Sequence, residues 1–394
     1  MSKRIISLIL VFVFVIALAG FNTPVQAAAY GTAFITSITY QNVGTGTAMS
    51  IRIDFYTEAN GTPIPITRPE LAAGAGTSLY IGSLSQITSG FLGSAVMSSD
   101  QPLVATLVQL PSGTVRNRPL SNGFSFGSSY VLIPTVLKNT FGAHSIFSIQ
   151  NVDSVGADVT LKFVPADGSA TTTYNVNGLP AGSAKYIDMG NFANITASTF
   201  NGSVQVTSVK TGTATPGSIV ASSMELQLTG DNVLAFEGAT ETGLKIFMPS
   251  AQCKFGPNNA SSSAYAVQNT SSTVNASVRV TYSNGKVDGP YTLAPGGKRS
   301  FDGCGAANPV GFLGSAVITS TGAEIVAVGK IYGGGLSTAF LGFPSGSMKI
   351  ALPYVRWTEA HWNDGTRQRA YIAIQNVGSS AIAAADATVN YYDK

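Results

Sequence analysis

One short phrase returns four times along this chain: Tyr40-Gln41-Asn42-Val43, Ile149-Gln150-Asn151-Val152, Val267-Gln268-Asn269-Thr270 and Ile374-Gln375-Asn376-Val377. The glutamines stand 109, 118 and 107 residues apart. That period is far longer than the roughly 20–50 residues of solenoid repeats and propeller blades. It equals a whole small domain of about 100 residues. The 394 residues therefore read as three complete related domains and part of a fourth.

Other landmarks recur in the same order. An apolar run with a proline precedes the phrase in repeats two to four: Leu132-Ile133-Pro134, Phe247-Met248-Pro249 and Leu352-Pro353-Tyr354. Proline cannot donate to a ladder, so each run predicts a first, edge strand. In repeat one, Thr32 to Ile38 is expected to take that place. After the phrase comes a strictly alternating strand: Met49 to Phe55, Val159 to Phe163 and Val278 to Tyr282. Period-two alternation puts one face in a core and the other in water. Each then meets Asn60-Gly61, Asp167-Gly168 or Asn284-Gly285, pairs that suit tight hairpin turns. Leu-x-x-Gly follows at Leu71 to Gly74, Leu179 to Gly182 and Leu293 to Gly296. A phenylalanine then leads into Gly-Ser at Phe91, Phe200 and Phe312. About seven short strands per repeat, with turn signals between them, predict an all-β chain of tandem antiparallel β-sandwiches. A closed barrel is the alternative.

These landmarks resemble the immunoglobulin-like repeats of bacterial surface proteins, the CARDB and adhesion-type modules. Asn376-Val377-Gly378-Ser379 and Leu179-Pro180-Ala181-Gly182 carry the likeness best, and it covers about half of each repeat. The resemblance implies an immunoglobulin-like sandwich with a cell-surface or adhesive role, and it implies no catalytic residue.

The landmarks place repeat one at 28–119, repeat two at 128–236, repeat three at 244–340 and an incomplete repeat four at 347–394. Short linkers between them predict a semi-rigid row of domains. Repeat four stops where its siblings make the Asn-Gly or Asp-Gly turn. It reads as a fragment of a longer protein; completion of its strands by another molecule is the alternative.

Residues 1–27 read as a signal peptide. Lys3 and Arg4 are followed by an apolar run from Ile5 to Phe21, and Val25-Gln26-Ala27 offers small residues to a signal peptidase. Cleavage is expected after Ala27, with Ala29 as the second choice; an uncleaved anchor is the other reading. No later segment could span a bilayer. Cys253 and Cys304, the two cysteines, are expected to pair in an oxidising compartment. Their closure would stabilise repeat three by about 3–4 kcal/mol. Two separate buried thiols are the other possibility.

Only 10 % of residues are charged, against a usual ~25 %. A surface of Ser, Thr, Asn and Gly suits an extracellular protein that meets polysaccharide, neighbouring surface proteins or its own copies. It does not suit nucleic acid, which demands a basic stripe. His144 and His361 are the two histidines, in different repeats, and no Gly-x-Ser-x-Gly, zinc, phosphate-loop or EF-hand motif occurs. No enzyme, metal or cofactor is expected. One segment stands out: Trp357, His361, Trp362 and Tyr371 cluster in repeat four and include both tryptophans. Aromatic faces on a loop are one way to stack on sugar rings, and a turn with Trp packed inward is the plainer reading. The sequence thus predicts a secreted, non-enzymatic surface protein. The alternatives are accessory carbohydrate-binding modules of a longer exported enzyme, or strand-donating subunits of an extracellular assembly.

Overall fold

The computed structural model describes residues 28–58, 60–333, 336–356 and 370–392. The expected leader, its cleavage sites and Trp357, His361 and Trp362 lie outside them. Domain one holds β1 (Phe34–Asn42), β2 (Ile51–Thr57), β3 (Ile64–Arg68), β4 (Gly76–Tyr80), β5 (Gly93–Ser99), β6 (Leu103–Pro111) and β7 (Leu120–Asn122). Domain two holds β8 (Tyr130–Lys138), β9 (Ala143–Asn151), β10 (Ala157–Pro165), β11 (Thr172–Leu179), β12 (Ala184–Asp188), β13 (Phe200–Lys210), β14 (Ile219–Gln227) and β15 (Val233–Glu237). Domain three repeats that order in β16 (Lys245–Cys253), β17 (Ser262–Asn269), β18 (Ala276–Tyr282), β19 (Val287–Leu293), β20 (Lys298–Asp302), β21 (Phe312–Thr321), β22 (Ile325–Gly333) and β23 (Leu336–Leu341).

Each domain is an antiparallel sandwich. In domain two the sheet β11-β10-β13-β8 faces β12-β9-β14-β15, and domain three stacks β16-β21-β18-β19 on β20-β17-β22-β23. The central pairs, second strand with fifth and third with sixth, are those of an immunoglobulin sandwich. The outer strands are exchanged: the first strand pairs with the sixth and the seventh with the second. Alternation builds the cores as expected. Val159, Leu161 and Phe163 point inward and are buried, while Thr160 and Lys162 between them are half-exposed. The repeated phenylalanine sets its ring edge-on to the aromatic of the third strand: Phe91 on Phe55, Phe200 on Phe163 and Phe312 on Tyr282. Cys253 and Cys304 form the expected disulfide. Among the described residues no helix is long and apolar enough to cross a membrane.

Three expectations are corrected. Thr32 to Ile38 do not supply a separate first strand, because Phe34–Asn42 is one strand ending in Gln-Asn. Domain one consequently has a three-stranded sheet, β3-β2-β5. Repeat four does not form its expected strands: its described residues join no ladder, and its apolar side chains Ile350, Tyr371 and Ile374 stay exposed. Segments without a second sheet to bury against cannot hold a ladder. Nor do the domains form the expected semi-rigid row, since domain one touches both others. Asn117 of domain one donates to Asp231 O of domain two (2.7 Å) and accepts from Ser337 N–H of domain three (3.0 Å). Val328, Ala339 and Leu341 of domain three pack into the core of domain two. The linkers are short enough to draw apolar surface together, and burying it outweighs their freedom.

Candidate functional site

The asparagine of the recurring phrase is a clamp inside each domain. Asn151 Nδ2 donates to Val155 O (2.8 Å) and Leu179 O (2.9 Å), and its Oδ1 accepts from Asp153 N–H (2.9 Å). Asn42 and Asn269 make the same three kinds of contact. In repeat four Asn376 keeps only the turn, through Ser380 O and Gly378 N–H. The bond to the amide two residues on makes an Asx turn, which an asparagine side chain readily forms. The bond to the leucine of Leu-x-x-Gly ties the two motifs together and explains why they travel as a pair.

The glutamine faces the other way, out of the domain. Gln150 Nε2 donates to Gly182 O (3.1 Å) in its own domain and to Ala95 O (3.3 Å) in domain one. Gln375 Nε2 does the same to Ala316 O (3.3 Å) in domain three. The serine after the repeated Phe-x-Gly completes the seam from the other side: Ser94 Oγ donates to Gly182 O (2.6 Å) and Ser203 Oγ to Gly296 O (2.8 Å). Tyr56 of domain one lies on Gly182, which has φ +78°, so a side chain there would both strain the backbone and strike the ring. Tyr392 of repeat four meets Gly74 of domain one in the same manner; a Cβ there would lie 2.9 Å from the ring. One heterologous contact is thus used again and again, and at its last use repeat four touches domain one.

The seam between domains two and three carries charge. The fully buried Thr135 follows Pro134 at a shift of register between β8 and β13. Its hydroxyl donates to Glu225 Oε1 (3.1 Å) and accepts from Lys298 Nζ (2.9 Å) and Lys330 Nζ (3.3 Å). Lys330 Nζ also donates to both carboxylate oxygens of Glu225, at 2.6 and 2.8 Å. Lys298 Nζ completes its contacts on Asn201 Oδ1 (2.6 Å). Two lysine amines thus meet one carboxylate, Lys330 directly and Lys298 through the Thr135 hydroxyl. Burial pushes the Lys298 pKa down from 10.5 to about 7; Lys330 pushes the same way and Glu225 opposes them.

The folded pKa of this base lies below the unfolded one, so the unfolded chain binds the extra proton between about pH 7 and 10.5. Stability gained from this group therefore rises with pH through that window and is lost as pH falls towards 7. Domains two and three are expected to be more stable at pH 9 than at pH 6.5 by on the order of 2 kcal/mol. Urea unfolding at the two pH values checks this, and Lys298→Met should flatten the difference.

Of the aromatic candidates only Tyr371 lies among the described residues. Tyr371 is 93 % exposed, beside an open groove lined by Val355, Ile372, Ile374, Val389 and Tyr391. His144 is held by local structure: its Nδ1 accepts from Asn139 N–H (3.0 Å), and its ring packs on Tyr30 at 4.6 Å. Tyr30 OH in turn donates to Asp188 Oδ2 (2.9 Å). Among the described residues no group of three His, Cys, Asp or Glu could hold a metal ion. Comparison of the chain with family models, with characterised proteins and with solved structures found no match.

Proposed function

We propose that this chain is a secreted, non-enzymatic structural or adhesive protein of the cell surface, built to present a stiff cluster of sandwiches. The observation that carries this reading is where the recurring side chains go. Gln150, Gln375, Ser94 and Ser203 all bind a neighbouring domain, and Asn151 binds its own. Two of the four recurring glutamines and two of the serines thus hold domains to one another, while Gln41 donates to Gly74 O of its own domain. The leader-like residues 1–27 and the disulfide Cys253–Cys304 favour export. A surface low in charge favours contact with extracellular polysaccharide or with neighbouring surface proteins.

Fractionation of cells expressing the gene tests the location: the protein is expected in the surface or extracellular fraction with its disulfide formed. Recovery of reduced protein in the cytosol would overturn the reading. The accessory carbohydrate-binding alternative rests on Trp357, His361, Trp362 and the exposed Tyr371. Retention on insoluble polysaccharide that is lost in both Trp357→Ala and Trp362→Ala would favour it over a structural role.

A further inference from the structure

Domain one and repeat four complement each other. In domains two and three the sixth strand is flanked by a first strand, β8 on β13 and β16 on β21. Its counterpart in domain one is β5, which pairs only with β2 among the described residues. The inward side chains show the consequence. Val204 and Val206 on β13 are buried, as are Ala316 and Ile318 on β21. Their counterparts Ala95 and Met97 on β5 are only partly buried. Domain one therefore has an apolar seat of one strand's width, and a bare strand edge is a template for another strand. The glutamine contact does not block it, because Ala316 accepts from Gln375 while β16 still runs alongside.

Repeat four carries the matching strand. Lys349-Ile350-Ala351-Leu352-Pro353 follows the pattern of Lys245-Ile246-Phe247-Met248-Pro249 in β16. In β16, Ile246 and Met248 are 0 % exposed and lie opposite Ile318 and Ala316. In repeat four the matching Ile350 and Leu352 are 69 % and 46 % exposed, and the segment joins no ladder. Strand and seat do not meet within one molecule. The segment hangs from domain three, where Phe343 pairs with Phe247 and Gln375 binds Ala316 O. The seat opens at the seam of domains one and two, where Gly93 O and Ala95 O of β5 accept from Tyr186 and Gln150.

We propose that Ile350 to Pro353 of one copy forms the first strand of domain one in a second copy, so that chains associate head to tail. The register follows from domain three. Ile350 falls opposite Met97 and Leu352 opposite Ala95, as Ile246 lies opposite Ile318 and Met248 opposite Ala316. The exchange removes apolar side chains of the donor from water and closes the half-open core of the recipient. Donor and recipient surfaces differ, so the contact is heterologous and each added chain leaves a free strand and a free seat. The inference rests on the structural role proposed above and names its partner, a second copy; it does not rest on the location of the protein.

Sedimentation of the purified full chain should show association that grows with concentration. Ile350→Asp with Leu352→Asp should abolish it and leave the melting temperature unchanged, since neither side chain is buried. Cross-linking tests the register. Both native cysteines are already paired with each other. A chain carrying Met97→Cys, mixed with one carrying Ile350→Cys under mild oxidation, should give a disulfide-linked heterodimer. Val96→Cys in place of Met97→Cys, on the opposite face of β5, should give far less. A chain that stays monomeric at every concentration, or equal linking from positions 96 and 97, overturns the proposal. So does hydrogen-exchange protection of the β5 amides that is the same in the double aspartate variant, because the seat would then be filled from within its own chain. Cell fractionation tests the location separately: a cytosolic chain that still linked through Met97→Cys and Ile350→Cys would support the strand while overturning the location.

Discussion

Glu225→Ala is expected to destabilise domains two and three by about 3–5 kcal/mol, the usual cost of removing one partner from a buried ion pair. Glu225 is 6 % exposed and Lys330 9 %, so neither can turn to water when its partner is lost. The substitution leaves the Lys330 ammonium on the Thr135 hydroxyl beside the Lys298 amine, with no carboxylate to balance its charge. Glu225→Gln keeps the shape and should cost nearly as much, which separates charge from packing. Replacing the pair together, as Glu225→Leu with Lys330→Met, is expected to be close to neutral, because desolvation of the pair consumes most of its attraction. Urea unfolding of the full chain followed by circular dichroism measures all three. A cost below about 1 kcal/mol for both single variants would mean that the seam opens to water, since exposed pairs contribute no more than that.

Most of what the sequence made legible is local. Alternation in Val159 to Phe163 specifies a half-buried strand wherever it stands. The Asx turn of Asn151 needs only residues close by in the chain. Such signals repeat with the domain and survive being read one segment at a time. The seams are different in kind. Thr135, Glu225, Lys298 and Lys330 come from four strands of two domains, and no spacing announces them. Gln150 looked like part of a turn motif because its neighbour is one, yet the two side chains leave β9 on opposite faces. That alternation was available in the pattern itself: Asn faces the core, so Gln must face out, and a recurrent outward amide needs a recurrent partner. The collapse of the row could not be read in this way, since it depends on which outer faces match. The strands of repeat four failed for the converse reason. Their local pattern is sound, but a pattern stabilises a strand only when a second sheet takes up its apolar face.

The recurring asparagine allows the same substitution to be made in two environments. Asn151 is fully buried and Asn376 is exposed. Asn151→Ala strips the donors from Val155 O and Leu179 O and the acceptor from Asp153 N–H. Each buried group left without a partner costs about 1–3 kcal/mol, and part of the site can be rescued by water, so a loss of about 2–4 kcal/mol is expected. Asn151→Asp keeps the acceptor and loses both donors. It should fall between Asn151→Ala and the natural chain at low pH, and be worse at neutral pH, where a carboxylate would face two carbonyls. Asn376→Ala removes only the exposed turn bonds to Ser380 and Gly378, and should change stability by no more than about 0.5 kcal/mol, as surface substitutions do. Hydrogen exchange reports the site directly, through the amides from Asn151 to Val155 and around Leu179. If Asn151→Ala and Asn376→Ala proved equally mild, the clamp would not be what joins the Gln-Asn strand to Leu-x-x-Gly. The pairing of those two motifs through three domains would then need another cause.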